Sequence, residues 1–380
     1  MSLSARPPLL TLQTQGLYCE AGDFFVDPWR PVDRAVITHA HADHARSGHR
    51  HYLAATPGAG VLRARLGAIS LQAQPYREPV DINGVRVSLH PAGHVLGSAQ
   101  VRIEHRGEVW VVSGDYKLQP DPTCEAFEPV VCDTFVSEST FGLPIYRWAP
   151  PSQVFAEIDA WWAANAAAGR ASVLYCYSFG KAQRILAGIN ASIGPIVCHG
   201  AIESLNRVYR AAGVSLPETS LLSDATRATT DRQALERQAP DRHAPDHQPL
   251  SRALVLAPPS AAGTSWLRRF PDPSDAFASG WMALRGARRR RACDRGFVLS
   301  DHADWPGLQQ AIGESRAQRV FVTHGQVAVM VRWLGEQGIE AGALPTQFEG
   351  DEGEGDGRGD PHADTVAHAP VDIPVAAPRA

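Results

Sequence analysis

His39-Ala40-His41-Ala42-Asp43-His44 follows directly on the apolar run Ala35-Val36-Ile37, and no other stretch of the chain carries as much chemical information. Three imidazoles and a carboxylate packed this closely point to ligands for more than one metal ion. On a strand running out into a loop, His39 and His41 lie two residues apart and face the same way. Asp43 and His44, beyond the strand end, are then placed to turn toward a neighbouring ion. The bland alternative is a polar loop that happens to be rich in histidine. The density of ligand-type side chains weighs against it.

Four further positions repeat one pattern, an apolar strand followed by His or Asp and then by a small residue. His94 lies in Pro91-Ala92-Gly93-His94-Val95-Leu96-Gly97-Ser98, after an alternating run Val85 to Leu89. Its flanking glycines allow backbone and ligand to approach closely. Asp115 follows Val109 to Val112 in Ser113-Gly114-Asp115, His302 follows Leu299-Ser300-Asp301, and His324 follows Val322-Thr323. The carboxyl ends of strands are where open sheets place their sites. A single histidine of this kind is as readily a core or loop residue, but the repetition favours convergence on one site. His49, His51, His90, His105 and His199 lack such context and are read as structural or exposed.

At 380 residues the chain exceeds one ordinary core, so two domains are expected. An apolar content of 44% and a charged content of 20% describe a globular chain. With a net charge of −4, any contact with nucleic acid must come from a local basic patch. The six cysteines form no C-x-x-C pair and sit mostly in or beside apolar runs, as reduced, buried thiols of a cytoplasmic protein do. No run approaches a membrane span and the first residues lack a signal-peptide core.

The pattern from Val36 to Glu138 is mostly β, with a hairpin of Ala99–His105 and Glu108–Val112 around Arg106-Gly107 and a strand over Val130–Val136. After Pro150 strands and helices alternate. Helical Val154–Ala168, Lys181–Ile189 and Ile202–Ala211 are separated by strand-like Val173–Cys176 and Pro195–Cys198, which suggests an inserted parallel-sheet unit. Residues 223–249 are polar without an apolar period, and the tail is acidic, Gly-rich and then Pro/Ala-rich, so both are expected to be loop-like or disordered. Strand and helix patterns resume over Leu254–Leu256, Gly296–Leu299, a helix from Trp305, Val320–Val322 and a helix over Gln326–Gln337.

The order His39-x-His41-x-Asp43-His44, His94, Asp115 resembles the metallo-β-lactamase fold signature. Ser137-Glu138-Ser139-Thr140-Phe141-Gly142 resembles the motif that opens the β-CASP insertion of nucleic-acid-processing members. Ser300-Asp301-His302-Ala303-Asp304 and Thr323-His324-Gly325 resemble the two later motifs of that branch, so the match spans roughly residues 15 to 345. Ser279-Gly280-Trp281-Met282-Ala283-Leu284-Arg285, continuing through Arg288–Arg291 to Asp294-Arg295-Gly296-Phe297, is similar to the bacterial ligase-associated DNA damage response exonucleases. The resemblance implies an α/β chain, an αββα metallo-β-lactamase sandwich with an inserted α/β β-CASP domain. Residues 1–145 and 291–346 would form the sandwich, 146–290 the insertion and 347–380 a disordered tail.

It also implies roles. His39, His41 and His94 would hold one ion, Asp43, His44 and His324 the second, with Asp115 bridging. Nitrogen and carboxylate ligands without thiolates suit Zn²⁺ best, with Mn²⁺ as the alternative. Asp43 would also orient the attacking water, and His302, held by Glu138, would give a proton to the leaving oxygen. The bland alternative for Glu138 is a surface carboxylate at a strand end. Arg285, Arg288, Arg289, Arg290, Arg291 and Arg295 form the one dense basic run and would bind phosphates, unless they are simply a solvated charged face. Ser178 and Lys181, at a strand-to-helix junction, would take a phosphate or else form an ordinary helix cap.

The function expected is a two-metal nuclease, a DNA exonuclease of DNA repair, with an ATP-dependent DNA ligase and a helicase as partners. An RNA-processing enzyme of the same branch is the first rival, because a histidine at the His324 motif is typical of RNA-processing relatives. A small-molecule metallo-hydrolase is the second; it needs neither the insertion nor the Glu138/His302 pair. A metal-free scaffold is the third, and the complete ligand set argues against it.

Overall fold

In the computed structural model the described residues are 8–222, 250–270, 272–291 and 293–347. The polar stretch 223–249 and the tail from 348 lie outside them. The chain divides into two compact units, one of Met1–Arg147 with His302–Ala380 and the other of Trp148–Asp301.

The first unit contains two sheets, with strands numbered along the chain. One sheet follows sequence order: β1 (Thr11–Gln13), β2 (Gly16–Cys19), β3 (Phe24–Val26), β4 (Arg34–Val36), β5 (His51–Ala55) and β6 (Leu71–Gln74). The other comprises β7 (Val80–Ile82), β8 (Val85–Pro91), β9 (Ala99–His105), β10 (Glu108–Val112), β11 (Thr134–Glu138), β18 (Arg319–Thr323) and β19 (Glu340–Ala343). Their order in the sheet is β19-β18-β11-β10-β9-β8-β7.

Alternation along β8 sends Val85, Val87 and Leu89 into the layer between the sheets, where they meet Leu17, Val26, Val36 and Leu53 of the other sheet. On the opposite face Val111, Phe135, Val320 and Val322 pack against the helices Trp305–Ser315 and Val327–Glu336. The expected hairpin joins β9 to β10 in antiparallel register, His105 opposite Glu108, through Arg106 (φ 50°) and Gly107 (φ 81°).

Two expectations shift. Val130–Asp133 is loop, because the Cys132 amide bonds the Ser315 carbonyl and Asp133 exchanges bonds with Val109, so the strand begins at Thr134. The antiparallel strands β1–β3 were not anticipated, since three or four residues each are too few to display a period of two.

The second unit is a parallel sheet in the order β14-β13-β15-β12-β16-β17. Its strands are β12 (Ser172–Tyr175), β13 (Ile196–Cys198), β14 (Ser220–Leu221), β15 (Leu254–Ala257), β16 (Ser274–Ala278) and β17 (Arg295–Phe297). The helices Pro151–Ala167, Lys181–Gly188 and Gly200–Ala211 supply the expected alternation. Because β17 pairs with β16, this unit runs to Asp301, past the expected exit at 290. Six free thiols are present, of which Cys19, Cys132, Cys176 and Cys198 are buried. Among the described residues no helix is long and apolar enough to cross a membrane.

Candidate metal centre

β10, β11 and β18 pair in parallel, and β8 reaches β10 through the antiparallel β9. The carboxyl ends of β8, β10, β11 and β18 therefore share one edge, and each delivers a site residue there. His94 comes from the loop after β8, Asp115 from the loop after β10, Glu138 from the end of β11 and His324 from the turn after β18. The first cluster comes from the other sheet. β4 ends at Val36, so His39 to His44 sit on a turn rather than on a continuing strand. His39 and His41 converge because the turn folds back, with the His44 and Ala45 amides both bonding the His41 carbonyl.

Among the described residues three groups of ligand-type side chains result, all of them including Asp115, and the third is Asp115, Glu138 and His302. His39, His41, His94 and Asp115 bring one ligand atom each to within 4.8 Å of the others, and all four are buried. His41 Nδ1 lies 3.1 Å from His39 Nε2 and 3.0 Å from His94 Nε2. Nitrogens about 2.1 Å from a tetrahedral zinc stand about 3.4 Å apart, so this spacing fits a common ion. The second group is Asp43, His44 and Asp115, and the shared carboxylate of Asp115 lies 3.4 Å from His44 Nε2 and 3.5 Å from His39 Nε2. His324 stands at the edge of this group, its ring stacked on that of His44 at 5.4 Å.

The donor set is nitrogen and carboxylate oxygen throughout, and His44 Nε2 is buried with no hydrogen-bond partner. A buried orphan nitrogen aimed at two carboxylates is what a metal ligand looks like without its ion. The groups are able to hold metal ions.

Electrostatics follow from burial. Burial pushes the His39 imidazole well below its ordinary pKa, helped by His44. Burial also opposes protonation of His44, but Asp115, Asp43 and Asp27 outweigh it and hold that imidazole well above the usual range. Asp115 would be raised by burial, yet His44 and His302 bring its carboxyl well below the ordinary value. His324 is lowered, first by burial and then by His44.

Two supporting residues escaped the sequence reading. Asp27 accepts from His44 Nδ1 at 2.7 Å and from the Thr38 amide and hydroxyl at 2.8 and 2.6 Å. It thereby fixes the tautomer that turns His44 Nε2 toward the carboxylates. The other is Tyr116, whose amide donates to Glu138 Oε1 at 2.8 Å and whose carbonyl accepts from the Ala303 amide at 2.6 Å. One residue's backbone thus ties the neighbours of Asp115, Glu138 and His302 together. Glu138 is buried and receives His302 Nδ1 at 2.9 Å. Asp304 caps the following helix through the Gly307 amide.

No family model matches the chain. Over 335 residues, 87% of its length, it is 30% identical to a protein named Probable DNA ligase from Opitutus terrae, and it spans 30% of that relative. It is 38% identical over 74 residues to Cleavage and polyadenylation specificity factor subunit 3 of Dictyostelium discoideum, covering 19% of this chain and 10% of the relative. Endoribonuclease YSH1 of Saccharomyces cerevisiae matches at 38% over 69 residues, 18% of this chain and 9% of the relative. β-CASP metallo-β-lactamases are thus among the relatives of this chain. Its architecture is shared with a protein of unknown function from Enterococcus faecalis, at a TM-score of 0.51 and 10% identity over 82% of this chain and 79% of that one.

The basic candidates all lie in the second unit. Arg285–Arg291 forms a helix, with Arg285, Arg288 and Arg289 on its outer side and Ala287 buried opposite. Arg288 Nε donates to the Met282 carbonyl, and the Arg291 guanidinium lies over Phe277 at 4.4 Å. Arg295 is exposed, 3.7 Å from Glu157. Lys181 is buried, with its ammonium 2.9 Å from Asp301. Gly180, with φ 84°, stands at the helix cap, and the Ser178 carbonyl accepts from Gln183. Of the histidines read as structural, His199 caps its helix through Ala201 and His90 pairs with Glu128 at 3.1 Å.

Proposed function

We propose that the chain is a metal-dependent nuclease that hydrolyses phosphodiester bonds, acting as a DNA exonuclease in repair. The observation that carries this reading is the placement of two ligand groups sharing Asp115 beside the Glu138–His302 pair. His39, His41 and His94 would hold one divalent ion and Asp43, His44 and His324 the other, with Asp115 common to both and Zn²⁺ favoured over Mn²⁺ by the donor set. When bound, two such ions supply Lewis-acid polarisation of a phosphoryl oxygen and a water nucleophile at neutral pH. Asp43 would orient that water. His302, its Nδ1 turned to Glu138, would deliver a proton to the leaving oxygen, and Glu138 would hold the ring in that orientation.

DNA is favoured because nearly the whole chain matches part of a protein named a DNA ligase. An ATP-dependent ligase and a helicase are the partners that this reading carries. The second reading, RNA, draws on the shorter matches to proteins named as an endoribonuclease and a polyadenylation factor. End-labelled single- and double-stranded DNA and RNA, offered with Zn²⁺ or Mn²⁺, separate the two. Stepwise shortening of DNA from one end is expected, and cleavage of RNA alone would refute the DNA assignment.

The outward arginines give a further expectation. Arg285, Arg288 and Arg289 changed together to Gln should weaken DNA binding and flatten its salt dependence, by about 0.9 in the log–log slope for each phosphate no longer neutralised. Binding measured from low to moderate salt reads this directly. A slope equal to that of the wild type would remove the helix from the interface.

A further inference from the structure

The turn that carries His324 is held by the residue that follows Glu138. β11 and β18 run parallel with Glu138 opposite Thr323, so Ser139 and His324 leave the sheet side by side. Ser139 is fully buried. Its hydroxyl donates to the His324 carbonyl, and its own carbonyl accepts from the Gln326 amide at 2.9 Å. His324 itself is held at φ 56°, in the left-handed region that side-chain-bearing residues disfavour. Gly325 also has a positive φ, and a Cβ there would lie 2.5 Å from the Ser139 carbonyl oxygen and from Thr140 Cα. The turn is therefore seated backbone against backbone on Ser139-Thr140.

We propose that Ser139 is a positioning residue for the second metal ion. It acts through the main chain of His324, fixing an unfavourable turn so that the imidazole is presented to the Asp43, His44 and Asp115 group. This rests on His324 being a ligand, as proposed above. The inference is specific to one ion. His39, His41, His94 and Asp115 come from other turns, and no described hydrogen bond joins those turns to the Ser139 hydroxyl. Removing the hydroxyl leaves the His324 carbonyl without its donor and lets the turn relax toward ordinary backbone angles. Supporting groups of this kind typically change metal affinity by about 10- to 100-fold.

The experiment uses the full chain, stripped by chelator and titrated with Zn²⁺ by calorimetry, with ions per chain counted after gel filtration. Wild type should take up two ions. Ser139→Ala should bind the first with wild-type affinity and the second about 10- to 100-fold more weakly. The retained first affinity shows that the variant is folded, and Ser139→Thr, which keeps the donor, should restore the second. Unchanged binding of the second ion in Ser139→Ala overturns the proposal, and so does an equal weakening of both ions or a failure of Ser139→Thr to restore. His324→Ala is the separate control. If it still holds two ions, the ligand assignment itself falls, whatever Ser139→Ala does.

Discussion

His302→Ala is expected to slow hydrolysis of an ordinary DNA phosphodiester by about 10²- to 10⁴-fold, the range for loss of a positioned proton donor. The same variant should hydrolyse a nitrophenyl ester of thymidine phosphate at close to the wild-type rate. A nitrophenolate leaves without protonation, whereas a sugar alkoxide does not. The geometry behind the split is the buried contact of His302 Nδ1 with Glu138 at 2.9 Å, which dedicates that nitrogen to orientation. A proton passed to substrate then leaves from Nε2. Glu138→Gln should show the same selective loss.

Metal content must be measured alongside, because Asp115, Glu138 and His302 also bring ligand-type atoms within 4.8 Å of one another. Equal losses on both substrates, or a variant short of an ion, would make His302 a ligand or a structural residue instead of the acid.

The largest effect on stability is expected at Gly97, in the loop that presents His94. Gly97 has φ 77°, and a Cβ there would lie 2.1 Å from both the Cα and the nitrogen of Gly58. Backbone meets backbone at that crossing, so no side chain can swing aside. Gly97→Ala combines a left-handed alanine with an unrelievable overlap, and a loss of about 2–5 kcal/mol follows. Against a typical stability of about 5–15 kcal/mol this is a large fraction. Gly107→Ala is the control: its φ is also positive, but a Cβ would meet nothing within 4 Å. It should cost only about 1 kcal/mol. Urea unfolding of the two variants separates overlap from backbone preference, and equal midpoints would show that the crossing is not tight.

The candidate metal centre was legible because its residues are local in sequence or repeat at strand ends. His39 to His44 occupy one turn, and His94, Asp115 and His324 each follow an apolar run whose ends the sheet order then aligns. Asp27 was not legible. A single carboxylate before a proline carries no pattern, and its role exists only through His44, 17 positions away. Lys181 shows the opposite limit. A strand-to-helix junction with a lysine suggests a phosphate contact, but the buried Asp301 that takes its ammonium lies 120 residues later in the chain, a distance that no local pattern spans. The strand expected from Val130 had the apolar side chains but not the pairing, since bonds to Ser315 and Val109 hold its first half in a loop.

The parallel pairing of β11 with β18 also sets an order of events during synthesis. Glu138 and Thr323 are register partners, yet all of Trp148–Asp301 lies between them and leaves the ribosome first. That segment is continuous and holds its own sheet, so it has the local contacts to fold while β11 still waits as an open edge. A nascent chain at this stage carries His39, His41, Asp43, His44, His94 and Asp115 but not His324. It is therefore exposed to aggregation through one bare strand, while the candidate metal centre lacks only His324 of its proposed ligands.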